Sequence, residues 1–267
     1  QEYFEQIALY SQMAVSLAKD DINKINELIE HLPDLPIKAH SSILDHLKSD
    51  QIQNLPETDK TDLWEKLAAL ARNHRKFSDA NWAMSEGMIA NIESVAELLK
   101  PAAPGLLYRH LFTSNDSDLY DEKGDYKEQS LRLDKQRQDA LAEILEAGGI
   151  PAVLGFVQTV SNPYRLGLAL GNITNDTQEQ KLLPASLVMG DSVLWSMIGG
   201  YILARFSKQG LSWVDRILSY DWSTKEQSRY MMLLPFVEDV WTRVEQSLKD
   251  NEELYWREVI VNPWEAK

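Results

Sequence analysis

A chain of 267 residues, 44% hydrophobic and 25% charged, has the composition of folded protein and enough length for one large core or two smaller ones. Its formal charge of −14 is spread along the chain, and the densest basic stretch, residues 72–76, is too short to track a phosphate backbone, so nucleic acid is not an expected partner. The absence of cysteine removes disulfides, thiolate catalysis and Cys-ligated zinc.

Apolar residues recur at helical spacing from the start. Tyr3, Ile7, Tyr10, Ala14 and Leu17 form a first stripe, and Ile22, Ile25, Leu28, Ile29 and Leu32 a second. Leu63, Leu67, Leu70 and His74, flanked by Trp64, Ala68 and Ala71, form a third. Ser78 and Asp79 are expected to cap a helix that carries Trp82, Met88, Ile92, Val95 and Leu99 and stops at Pro101. Residues 113–126, TSNDSDLYDEKGDY, break the pattern with a polar, acidic, turn-rich stretch.

The next stripe, Ala140, Leu141, Ile144 and Leu145, stops at Gly148-Gly149, and Pro151 opens the following helix. That helix ends at Asn162-Pro163, because proline disfavours helical geometry in the residue before it. A weaker break spans 172–180. Leu194, Met197, Ile198, Tyr201 and Ile202 then run to a stop at Gly210. The near-apolar run 192–204 is short of a membrane span and reads as a buried helix. Gly199-Gly200 inside it costs about 1 kcal/mol per residue relative to Ala, which points to close approach by a neighbouring helix. A short helix with Trp213, Val214, Ile217 and Leu218 follows. A longer one behind Pro235 carries Phe236, Val240, Trp241, Val244 and Leu248.

No stretch alternates with period two between turn signals, so the expected fold is all-α. Roughly twelve to fourteen helices joined by short turns imply antiparallel hairpins in an irregular array or superhelical bundle, since no strict repeat period is found. The expected organisation is an N-terminal array over 1–112, an acidic loop or linker over 113–126, and a C-terminal array over 127–267, with one continuous domain as the alternative. More than about 60% helix is expected, far above the share in an average globular protein.

Chemistry-bearing clusters are few. Asp116, Asp118, Asp121, Glu122 and Asp125 could gather around Ca²⁺, but Tyr120 stands where an alternating ligand is needed and the order required of a calcium loop fails. His31, His40 and His46 are separated by nine and six residues, not the three or four that put two imidazoles on one helix face. Nucleophile-elbow, phosphate-loop and dinucleotide fingerprints are absent. Leu166-Gly167-Leu168-Ala169-Leu170-Gly171 reads as tight helix packing. No catalytic, cofactor-binding or metal-ligating residue is therefore assigned.

The tryptophans are the most suggestive feature. Trp213, Trp222, Trp241, Trp256 and Trp264 crowd the C-terminal end with Tyr220, Tyr230 and Tyr255. Trp213 and Trp241 lie on apolar stripes and are expected in the core. Tyr255, Trp256 and Trp264 lie among charged residues and are the candidate partner-binding set.

Residues 63–67 (LWEKL), 73–77 (NHRKF), 79–84 (DANWAM), 137–149 (RQDALAEILEAGG), Leu234-Pro235-Phe236 with Trp241, and Tyr255-Trp256 together resemble the helical-repeat portions of very large bacterial proteins. In some of these an ATPase module of the STAND type precedes the array. The resemblance covers most of the chain and implies a solenoid of the HEAT or TPR kind, acting as a sensor of a ligand or foreign protein. The nucleotide-binding motifs of such ATPases are missing here. Because the chain begins at Gln1 and carries no signal-peptide pattern, it is expected to be a cytoplasmic segment of a larger protein.

The leading functional expectation is thus a non-catalytic sensor or scaffold that binds a protein partner or the adjacent segment of its own chain, with no cofactor, nucleic acid or membrane. The alternatives are an all-α enzyme using dispersed carboxylates with a divalent metal, and a structural spacer between domains.

Overall fold

The structure, a computed structural model, describes residues 2–19, 21–120, 124–188 and 190–260; the side chains at 2–5, 7, 8, 118, 185 and 188 lie outside the description. The fold is all-helical, with 78% helix and no strand among the described residues. Two compact units are distinguished, Gln1–Leu107 with Asn115–Gln129, and Tyr108–Ser114 with Ser130–Lys267. The acidic stretch after residue 114 therefore belongs to the first unit. It forms a 3-10 turn over Asp116–Leu119, where the Lys76 ammonium donates to the Ser117 carbonyl at 2.8 Å.

The first unit holds α1 (Glu2–Ala18), α2 (Ile22–Glu30), α3 (Ile37–Leu47), α4 (Asp50–Gln53), α5 (Glu57–Lys76), α6 (Glu86–Leu99) and α7 (Pro104–Leu107). Its core is continuous from Val15 and Ala18 through Ile25, Ile29, Leu44 and Leu67 to Ile92 and Leu99. The α2, α5 and α6 stripes are buried as their spacing predicts.

Two expectations fail here. The α1 helix buries Ser11, Val15 and Ala18, while Tyr10 and Leu17 of the expected core stripe are exposed. The cap expected at Ser78 and Asp79 is also displaced. The preceding helix runs on to Lys76, residues 77–85 form turns, and α6 starts after Ser85. Ser85 at the start of α6 makes no side-chain capping bond, and the turns before it are tied to α5, as the Met84 backbone N–H donates to the buried His74 Nδ1 at 3.1 Å.

The second unit holds the Arg109–Phe112 turn, most of α8 (Tyr126–Val157), α9 (Pro163–Ile173), α10 (Asp176–Val188), α11 (Ser192–Gln209), α12 (Leu211–Leu218), α13 (Thr224–Met232), α14 (Glu238–Leu248) and α15 (Glu253–Trp256). The break expected at Gly148-Gly149 is present inside α8, where Gly149 has φ +63° and ψ −157°. Asn162 caps α9 by accepting from the Arg165 N–H at 3.1 Å, with Pro163 in the first turn. Asp191 caps α11, and Ser223 with Glu226 forms a reciprocal capping box on α13. By length and composition α8 alone among the described helices could cross a membrane, although it is interrupted at Gly149.

The pair α9 and α11 is the tightest contact in the unit. A Cβ on Gly167 would lie 1.8 Å from the Met197 carbonyl oxygen, and one on Gly200 would lie 2.1 Å from that of Tyr164. The glycine run in α9 and the second glycine of α11 therefore exist to let two backbones meet. Gly199 has room, its nearest prospective neighbour being Leu233 Cδ2 at 3.7 Å.

Candidate binding surface

The densest polar chemistry lies inside the second unit, around Glu179. This residue falls in phase with Leu182, Leu183, Ser186 and Leu187 on the buried stripe of α10 and is 0% exposed. Its Oε2 accepts from Arg205 Nε at 2.8 Å, Trp213 Nε1 at 2.8 Å and Tyr201 OH at 3.2 Å, and its Oε1 accepts from an Arg216 N–H at 3.1 Å. Asp176 adds a second carboxylate, 2.6 Å from Arg216 Nη1, so two anions balance two guanidinium groups. Burial first, and the Glu179 charge second, push the Tyr201 and Tyr230 phenols above their usual range. A carboxylate this fully bonded and shielded from water has no access to a substrate. Its role is to fix α10, α11 and α12 in one arrangement.

The other polar clusters are likewise engaged in holding the fold. Arg75 bonds both oxygens of Glu93 and reaches Glu86 at 2.8 Å, so the densest basic stretch of the sequence is partly neutralised in place. Arg137 is buried and donates from Nε to the Leu111 carbonyl at 2.8 Å. Tyr108 donates to Glu143 at 2.6 Å, and that bond, with burial second, pushes the phenol up to about 12. His31 ends α2, His40 is buried on α3, and His46 Nε2 lies 3.2 Å from the Lys19 carbonyl. Among the described residues no three His, Asp or Glu side chains are grouped to hold a metal ion; Asp121 and Glu122 of the acidic stretch lie outside those residues.

The C-terminal aromatics form a connected string. Phe236 and Trp241 have ring centroids 4.8 Å apart, Trp241 and Trp256 6.2 Å, and Tyr255 and Trp256 4.9 Å. Tyr255, one of the three candidate partner-binding residues, is fully buried, so its ring belongs to the interior. The exposed member is Trp256, and Trp264 lies outside the described residues. Trp213 is buried as expected, whereas Trp241 is only half-buried at the edge of the string.

A run of exposed apolar side chains lies elsewhere, on α1. Leu9, Tyr10, Met13 and Leu17 are between 52% and 76% exposed and share one helix face. At 100° per residue that face is opposite Ser11, Val15 and Ala18. Residues 6–18 contain no charged side chain, although the chain as a whole carries −14. An exposed apolar stripe with no charge along it is the signature of a contact surface. Sequence periodicity found one apolar stripe of α1, the one with Tyr10 and Leu17, and the core takes the face of Ser11, Val15 and Ala18 instead.

No protein-family model, curated protein or solved structure matches the chain.

Proposed function

We propose that the chain is a non-catalytic recognition module, a sensor or scaffold segment of a larger bacterial protein, whose helices pair as hairpins in an irregular array. The observation that carries this reading is the α1 stripe, because Leu9, Tyr10, Met13 and Leu17 expose apolar area that the first unit's own core does not use. The buried clusters support it. The carboxylate with the most bonds, Glu179, is saturated by its own neighbours and ties helices together. A partner offering its own apolar helix or groove is the chemical match for an uncharged stripe.

The test compares the wild-type chain with a Leu9→Glu, Met13→Glu variant. Both positions are exposed, so the fold is retained. Proteins captured from a bacterial lysate are identified and then titrated singly against both forms. The wild type binds saturably and the variant at least about tenfold more weakly, the effect of placing charge in an apolar contact. A variant that binds as tightly as wild type removes α1 as the contact, and a lysate that yields no saturable partner overturns the recognition reading.

A further inference from the structure

The second unit contains a pocket of about 350 Å³ whose chemistry the protein-binding reading does not use. Its volume lies at the lower end of the range for small-molecule sites. The walls come from the end of α10, the start of α11, α13 and the segment after α15, with Ser186, Trp195, Arg229, Met232, Leu233 and Glu258 on the lining.

Two side chains, Ser186 and Arg229, make it a built site. Ser186 is 3% exposed, and its Oγ has no hydrogen-bond partner among the described residues. A buried hydroxyl without a partner is costly and calls for a ligand or an ordered water. The Arg229 guanidinium is held in place, with Nη1 donating to the Leu187 carbonyl at 2.8 Å and the group 5.4 Å from the Trp195 ring centroid. A guanidinium has five N–H donors, so that bond leaves the fork able to grip a carboxylate.

Asp191 also lines the pocket, but its charge is committed. Its Oδ1 accepts the Val193 and Leu194 N–H groups at the start of α11, and its Oδ2 accepts from Gln158 at 3.1 Å. The charges left to a ligand are one of each sign, Arg229 and Glu258.

We propose that this pocket binds a free zwitterionic amino acid with an apolar side chain. The ligand's carboxylate bonds Arg229, and the Ser186 hydroxyl, orphaned among the described residues, donates to it on turning from its buried rotamer. Its ammonium pairs with Glu258. The side chain lies against Trp195, Met232 and Leu233. This inference rests on the second unit alone and does not depend on the α1 contact.

The experiment titrates the full chain by calorimetry with the twenty free L-amino acids, then with two analogues of L-leucine that each lack one charge, 3-methylbutylamine and 4-methylpentanoate. Leucine and other apolar amino acids bind saturably and glycine much more weakly. Each analogue binds at least about tenfold more weakly than leucine, the loss expected for one charged hydrogen-bonding group. Glu258→Gln, an exposed substitution that leaves the fold intact, weakens leucine but not 4-methylpentanoate. Ser186→Ala weakens leucine without lowering Tm, a result that a merely structural hydroxyl would not give. No saturable binding by any amino acid, an analogue as tight as leucine, or an unchanged leucine affinity in Glu258→Gln overturns the proposal.

Discussion

Gly167 and Met197 meet backbone to backbone, and a methyl group on Gly167 would sit 1.8 Å from the Met197 carbonyl oxygen. Helix α9 must therefore move away from α11 if any side chain is added. Gly167→Ala should destabilise the protein by about 3 kcal/mol, the upper range for overpacking. Gly199→Ala, one residue from Gly200 but aimed away from the backbone contact, meets only Leu233 and Tyr164 side-chain atoms at ordinary distance and should stabilise by up to about 1 kcal/mol through helix propensity. Urea unfolding of the two variants followed by circular dichroism checks both signs. Equal effects would mean that the close crossing is absent in solution.

Glu179 gives a second prediction. Glu179→Gln keeps the shape but takes from Arg205, itself almost fully buried, its close anion at 2.8 Å and leaves it only the longer Asp176 contact at 3.6 Å. Breaking a buried pair from one side costs about 3–5 kcal/mol. The denaturation midpoint should fall accordingly. A midpoint near that of the wild type would show that water reaches the cluster.

The tryptophans separate by burial. Trp213→Ala removes a fully buried ring that stacks edge-on with Tyr230 and donates to Glu179, and should cost about 3–5 kcal/mol. Trp241→Ala removes a half-buried ring and should cost about 2 kcal/mol, in proportion to the area lost. The order of the two midpoints is the readout, and a reversed order would place Trp241 in the core instead of at its edge.

Stability should weaken in acid through His74. Its Nδ1 accepts from Met84, and burial holds the imidazole below its usual pKa. The folded chain therefore binds this proton less readily than the unfolded chain. The contribution is complete above the usual imidazole range and is lost as pH falls through that range toward the lower folded value. Protonation also ends the bond that holds the 77–85 turns. Urea midpoints at about pH 7.5 and about pH 5 should differ more for the wild type than for His74→Gln. The same difference in both would assign the acid sensitivity to other groups.

Helix identity and most helix ends were legible in the sequence because they are local. Spacing of three and four places a stripe on one side of α2, α5 or α11, and Asn162-Pro163, Gly149 and Gly210 act on the backbone within a few residues of themselves. Even Gly200 could be read as a close approach, since a helix keeps a costly glycine for packing.

What the tertiary structure decided is which neighbour satisfies each group. Residues 172–180 read as a weak break, yet Glu179 sits at the centre of the buried ion cluster. Its position in phase with Leu182 and Leu183 was the available signal, but its partners Arg205, Trp213 and Arg216 lie 26 to 37 residues away. The α1 helix has two apolar faces, and only its packing against the rest of the first unit determined that Val15 is buried and Leu17 is not. Tyr255 and Trp256 are adjacent in sequence and equally aromatic, yet one is interior and the other exposed, because successive residues on a helix point about 100° apart and only one direction faces the core. Local periodicity fixes where a stripe lies on its own helix; the burial of a charge or an aromatic ring depends on distant segments that supply its contacts.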